Sequence, residues 1–109
     1  MRIWRDKQEF KARVLEWADK LNVPVRTLSL RTMRNKWASY STNGYLNFNS
    51  DLLAMDKKIG DYVIVHELLH FNVPNHGKLW KSLMTVHLGD YSELERKLKR
   101  ASANAVRPG

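Results

Sequence analysis

His66-Glu67-Leu68-Leu69-His70, followed by His76, gives the spacing H-E-x-x-H-x5-H. On an α-helix turning by about 100° per residue, positions four apart share a face one turn apart. His66 and His70 can therefore offer two imidazole nitrogens to one ion. Glu67 is rotated off that face, where its carboxylate reaches a water on the ion rather than the ion itself. Val73 precedes Pro74 and is pushed out of the α region, so the helix is expected to end near Phe71 or Asn72 and the chain to turn back before His76. That makes His76 a natural third ligand. Three neutral nitrogens with one open position is the arrangement of catalytic Zn2+, whereas structural sites fill all four positions and are usually rich in cysteine. This chain contains no cysteine.

The flanks of the pentad agree. Val63, Ile64, Val65, Leu68, Leu69 and Phe71 make the segment apolar nearly all round. It reads as a buried helix, in which histidine and glutamate require partners. Gly60-Asp61 reads as its start signal. Beyond it, Asn75 is a plausible N-cap that would set His76 in the first turn of the next helix, where the electropositive terminus disfavours protonation of the ring. Trp80, Leu83, Met84 and His87 then follow at helical spacing up to Gly89. In this reading the metal is Zn2+, Glu67 is the general base, and the second oxyanion donor is Tyr62, Tyr91, His87 or an arginine. Asn72, Asn75 and Asp61 are candidate acceptors for the outer imidazole nitrogens.

Outward from this centre, 109 residues make one domain, 1–109, with one modest core. Residues 6–21 read as a helix: Asp6 and Glu9 form a capping-box-like pair, Phe10, Val14, Trp17 and Leu21 give an apolar stripe, and Lys11, Arg13, Glu16 and Lys20 face solvent. From Val25 to Asn49 the period becomes two. Three strands are expected, the last two a hairpin around Thr42-Asn43-Gly44, with Asn-Gly supplying positive φ angles, Leu46 and Phe48 facing inward and Tyr45 and Asn47 outward. Asn49 or Ser50 caps a short helical turn through Met55, and residues 56–60 form a polar connection. Ser92-Glu93-Leu94-Glu95 starts a last helix with a capping box, and residues 102–109 read as a frayed tail. The predicted class is α+β, with a small, mostly antiparallel three-stranded sheet.

Nineteen lysines and arginines against eleven acids give a net charge of +8. Such a balance attracts polyanions, so DNA or RNA is a candidate partner beside a protein or peptide substrate. Arg26, Arg31, Arg34 and Lys36 are the densest basic segment, and Trp37, Tyr40 and Tyr45 lie close enough in sequence for base stacking. The preferred reading of this segment has Trp37 filling the core and the arginines simply solvated. The lack of cysteine suits a reducing cytoplasm, no apolar run approaches the ~20 residues a bilayer requires, and the N-terminus leads into no signal-peptide core. A cytoplasmic monomer without membrane contact is expected. Two other readings compete with a hydrolase: a nucleic-acid-binding module whose zinc only holds the fold, and a protein-interaction domain whose metal site has decayed.

Val65-His66-Glu67-Leu68-Leu69-His70 and Asn75-His76-Gly77-Lys78-Leu79-Trp80, preceded by Lys36-Trp37-Ala38-Ser39-Tyr40-Ser41 and Leu46-Asn47-Phe48-Asn49, resemble the YgjP-like zinc metallopeptidases. They are more distantly similar to the SprT-like and Wss-type proteases that act on DNA–protein crosslinks. The resemblance runs from about Leu28 to Leu83. It implies a minimal zincin-like domain, with His66, His70 and His76 as zinc ligands, Glu67 as general base, and an edge strand that takes substrate in extended form. Ala38 and Tyr40 stand where that family usually has glycine and cysteine. The chain is also shorter than is common there, so the resemblance implies nothing about substrate handling.

Overall fold

The computed structural model describes residues 2–41 and 43–104. The first helix, α1 (Lys7–Leu21), begins where the sequence places it, with the Asp6 carboxylate accepting from the Glu9 N–H at 2.9 Å. Glu9 does not reach back to Asp6 but accepts from the Arg5 N–H at 2.7 Å and from Lys57 Nζ at 2.9 Å. Phe10, Val14 and Trp17 are buried as expected. Arg13 departs from the solvent-facing reading. Its guanidinium donates to Asp61 at 2.7 and 3.2 Å, and the Trp17 indole donates to the same carboxylate at 2.9 Å. An arginine four residues from a buried tryptophan lies near the edge of the apolar stripe, where one acid on a packed helix is enough to draw it in.

The sheet consists of β1 (Thr27–Arg31), β2 (Ala38–Tyr40) and β3 (Tyr45–Asn49), in the order β1-β3-β2. It is mixed rather than mostly antiparallel. β2 and β3 form the expected hairpin, while β1 runs parallel to β3 with Leu28 opposite Leu46 and Leu30 opposite Phe48. Alternation reports which face of a strand is buried and is silent on direction. Asn49 accounts for the path between β1 and β2. Fully buried, it donates to the carbonyls of Met33 and Lys36 at 3.0 and 3.2 Å, and its Oδ1 accepts from the Asp51 N–H at 3.0 Å. One amide thus ties the β1–β2 connection to the start of a 3-10 turn, Ser50–Ala54. In the hairpin, Gly44 has φ +87°. The Gly44 N–H donates to the Ser41 carbonyl at 2.9 Å, and the Ser41 N–H to the Tyr45 carbonyl at 3.0 Å. The positive φ expected of the Asn-Gly pair is found at Gly44.

The pentad lies on α2 (Lys57–Leu69), which starts three residues before the predicted Gly60. Asp56 caps it, accepting from the Lys58 N–H at 2.9 Å. Gly60 marks a close approach instead. A Cβ there would lie 2.6 Å from Trp4 Cζ2, and Trp4 in turn packs edge-on against Phe10, and Phe10 against Phe48. Eight of the thirteen residues of α2 are buried. It packs against α1, β2 and the last two helices, α3 (Lys78–Leu88) and α4 (Ser92–Asn104). At the start of α4 the capping group is the Asp90 carboxylate, which accepts from Ser92 N and Oγ at 3.0 and 2.7 Å, so Ser92 is not the N-cap. The predicted frayed tail is helical to Asn104, and residues 105–109 lie outside the described residues. Among the described residues no helix is long and apolar enough to cross a membrane.

Gly60→Ala separates packing from propensity. In an exposed helix interior this change gains up to about 1 kcal/mol. Here the added methyl meets a rigid indole, and a net loss of about 1–3 kcal/mol is expected from urea denaturation. A stabilised variant would contradict the Trp4 contact.

Glu9 supplies a pH-dependent counterpart. The Arg5 N–H, and then the Lys57 ammonium, hold its carboxyl below the usual range. A carboxylate depressed in the fold stabilises it above its unfolded pKa of about 4.3, and that contribution is lost as pH falls through the lower folded value. The difference in urea midpoint between wild type and Glu9→Gln should therefore be open at pH 6 and closed near pH 2; a difference independent of pH would contradict the pairing.

Candidate metal centre

His66 lies in the last turns of α2 and His70 is its C-cap, still in the right-handed helical region at φ −65° and ψ −16°. The chain ends the helix by tightening. The N–H groups of His70 and Phe71 donate to the carbonyls of Glu67 and Leu68, and those of Asn72 and Val73 both donate to Leu69. The turn comes where Pro74 predicts it, and it leaves the Val73 carbonyl 3.2 Å from His70 Nδ1. That acceptor assigns the proton to Nδ1 and leaves the Nε2 lone pair free to face outward.

His76 arrives from the link between α2 and α3. It is not in the first turn of α3, whose N-cap is Gly77 without a side-chain cap. Asn75 Oδ1 accepts from the Gly77 N–H at 3.3 Å, closing a local turn that delays the helix. His76 is thus set by a turn, and the helix terminus begins beyond it. His70 Nε2 and His76 Nε2 nonetheless face each other at 2.9 Å, and one nitrogen from each of the three histidines lies within 4.8 Å of the others. Ligand nitrogens about 2.05 Å from a tetrahedral ion would be roughly 3.3 Å apart. The His70–His76 pair is near that spacing, and the three nitrogens together are close enough to be candidates for holding one ion. Burial, and then the neighbouring His70 and His76, hold the His66 ring down to a pKa of about 4, so it is neutral and available as a donor at neutral pH.

Glu67 is half-buried beside this cluster, in a cavity of about 270 Å3 that Lys36, Trp37, Ala38, His66 and Leu98 also line. Burial pushes its carboxyl up, and His70, Lys36 and the backbone N–H of Tyr40 partly oppose the shift. Tyr62 is buried below His66, with ring centroids 5.8 Å apart, and its hydroxyl donates to Glu95 Oε2 at 3.3 Å. Burial and that carboxylate push the Tyr62 hydroxyl pKa up. Tyr91 stacks on Tyr62 at 5.8 Å and lines a second cavity, about 530 Å3, together with His66 and His76. His87 is directed elsewhere, its ring edge-on to Trp17 at 6.1 Å.

The remaining sequence candidates divide in the same way. Asp61 is engaged by Arg13 and Trp17, Asn75 by Gly77, and Asn72 is exposed. The outer nitrogen of His70 is served by a carbonyl instead. Arg26, Arg31, Arg34 and Lys36 are all exposed, but only Lys36 opens onto the Glu67 cavity. Arg26 and Arg31 bracket β1, five residues or roughly 16 Å apart, so the segment is not one compact patch. Trp37 packs partly buried against the core. Sequence reasoning missed the Val73 carbonyl, the Tyr40 amide and Glu95; the first two are backbone groups and carry no residue signature. A larger concavity, about 820 Å3, lies between the N-terminal segment and the starts of α1 and α2. It holds no histidine, and its Glu9–Lys57 and Arg13–Asp61 pairs satisfy one another, so the chemistry belongs to the smaller site.

The sequence pattern of the YgjP-like metallopeptidase domain matches residues 4–101. Among solved structures, the metallopeptidase zymogen jannalysin of Methanocaldococcus jannaschii is similar with a TM-score of 0.74 and 26% identity, over 84% of this chain and 94% of that one. The metallopeptidase zymogen abylysin of Pyrococcus abyssi shares the fold with a TM-score of 0.65 at 16% identity, over 90% of this chain and 96% of that one. No curated protein matches the chain significantly.

His76 tests the cluster directly, because it is exposed and its removal leaves the core intact. His76→Ala should keep the wild-type circular dichroism and lose more than the 10- to 100-fold in metal affinity typical of an outer-shell change. Undiminished affinity, measured by chelator competition, would exclude it as a ligand.

Proposed function

The chain belongs to the YgjP-like metallopeptidase family, and from that membership we propose that it hydrolyses peptide bonds with a zinc ion held by His66, His70 and His76 and with Glu67 as general base. The observation that carries this reading is the convergence of three imidazole nitrogens within 4.8 Å, next to a half-buried carboxylate. An all-nitrogen, cysteine-free donor set of three favours zinc in a catalytic role over a structural one. When bound, such an ion polarises the scissile carbonyl and lowers the pKa of the attacking water to about 7.

The chain's own groups supply the rest. The Val73 carbonyl keeps the His70 proton on Nδ1, so the ring presents its other nitrogen. Glu67 has a raised pKa through burial, which makes it a stronger base than a solvated carboxylate. It takes the proton of the attacking water and returns it to the leaving amine. Tyr91, beside His66 and His76, is the better placed of the two tyrosines to donate to the oxyanion, since Tyr62 already donates to Glu95. In β2 the pairing of Trp37 with Asn49 and of Ser41 with Tyr45 turns the backbone groups of Ala38 and Tyr40 away from β3. This outer edge runs beside Glu67, where the Tyr40 N–H is engaged by the carboxylate, and its other outward backbone groups can take an extended peptide through main-chain hydrogen bonds. The substrate is a protein or peptide. The charge of +8 and the exposed Arg26, Arg31, Arg34 and Lys36 favour substrates associated with DNA or RNA. The proposed setting is a cytoplasmic monomer.

Glu67→Gln distinguishes base from ligand. Turnover of an unfolded protein substrate should fall roughly 100- to 10,000-fold with metal content unchanged. Loss of the metal together with activity would move Glu67 into the ligand set, and retained activity would remove it from the mechanism.

A further inference from the structure

We propose that Trp80 is a positioning residue of the metal centre, its indole being the surface against which the three imidazoles are held in convergence. The inference rests on the metal-site reading above and extends it to a side chain that helical spacing alone assigns to the core.

His76 raises the question. It is exposed, lies outside any helix, and must still meet two histidines fixed on α2. Among the described residues its ring contacts are His66 at 5.0 Å, His70 at 4.7 Å and Trp80 at 4.5 Å. Two of these are co-ligands, and His70 Nε2 lies within hydrogen-bond distance of His76 Nε2, 2.9 Å, a contact that an ion bound to both nitrogens would replace. Trp80, four residues on and in the first turn of α3, remains.

The same indole also touches the other two rings. It stands edge-on to His66 at 5.0 Å and 81°, and parallel to His70 at 5.9 Å and 15°. Edge-to-face and offset-parallel contacts each fix a ring plane as well as a distance. One rigid bicycle therefore sets three ring orientations before any ion arrives, which is how a supporting residue raises affinity. Trp80 is only 3% exposed, yet its indole N–H has no hydrogen-bond partner among the described residues. A buried donor without an acceptor is destabilising relative to a plain hydrocarbon ring.

The test compares Trp80→Leu with Met84→Ala in the full chain. Met84 is fully buried one turn further along α3 and is not an aromatic contact of the histidines. Zn2+ affinity is measured by competition with a chromogenic chelator, ligand geometry by the visible spectrum of the Co2+ form, and metal-free stability by urea. Trp80→Leu is expected to bind Zn2+ about 10- to 100-fold more weakly, with an altered Co2+ spectrum. Met84→Ala is expected to lower the metal-free urea midpoint while leaving affinity and spectrum unchanged. Wild-type affinity in Trp80→Leu, or equal weakening by Met84→Ala, overturns the proposal and leaves the metal centre standing. Failure of wild type to bind Zn2+ overturns both. If Trp80→Leu does not fold, Trp80→Phe replaces it: its smaller ring should bind Zn2+ measurably more weakly, and unchanged affinity overturns the proposal.

Discussion

A helix buried on nearly every side cannot leave its polar groups to water. In α2 the apolar residues Ile59, Val63, Ile64, Val65, Leu68 and Leu69 are buried among α1, β2, α3 and α4. The histidines and glutamate near its C-terminal end can persist there only if each finds a partner. His70 finds the Val73 carbonyl, Glu67 finds the Tyr40 amide, and His66 remains neutral because burial disfavours its charged form. The site is thus the region where a buried helix concentrates its polar demands, and the surrounding elements supply what meets them.

The parts of this arrangement that depend on side-chain period and on proline were legible in the sequence. The stripe of α1, the inward Leu46 and Phe48, the chain reversal at Pro74 and the meeting of His66, His70 and His76 all follow from spacing. The parts that depend on which segment packs against which were not. Gly60 reads as a helix start because glycine often punctuates, yet its cause is the indole of Trp4, fifty-six residues away. Asn75 reads as a helix cap because asparagine caps helices, yet the same side chain closes a shorter turn and pushes the helix start to Lys78. The parallel pairing of β1 with β3 leaves no trace in alternation. It follows from Asn49, whose buried amide fixes a connection that no local rule specifies.

Stability and site chemistry occupy opposite ends of the same helix. At the start of α2, Gly60 admits Trp4, Lys57 pairs with Glu9, and Asp61 gathers Arg13 and Trp17. The charged groups satisfy one another, and among the described residues the buried Trp4 indole N–H is the donor left without a partner at this end. At the other end His70 Nε2 and His76 Nε2 meet at hydrogen-bond distance, 2.9 Å, with the His66 ring beside them. An anchor of paired charges at one end of α2 gives the other end the rigidity to hold these rings.

The sheet contributes through one strand edge. Because β2 pairs with β3 through Trp37, Ser39 and Ser41, its alternate residues Ala38 and Tyr40 must turn their backbone groups toward α2 or solvent. The Tyr40 N–H meets this requirement by donating to Glu67, and in doing so opposes the rise in pKa that burial imposes on the carboxyl. The Glu67 carboxylate is therefore tuned by competing effects: desolvation by the core raises its pKa, while His70, Lys36 and donation from the strand edge lower it. A three-residue strand is short, but its position beside α2 makes its edge geometry part of the carboxylate's environment. The mixed sheet thus does more than cover the core: with β3 in the centre and β1 shielding its far side, the outer edge of β2 is the one that lies beside the histidines' helix.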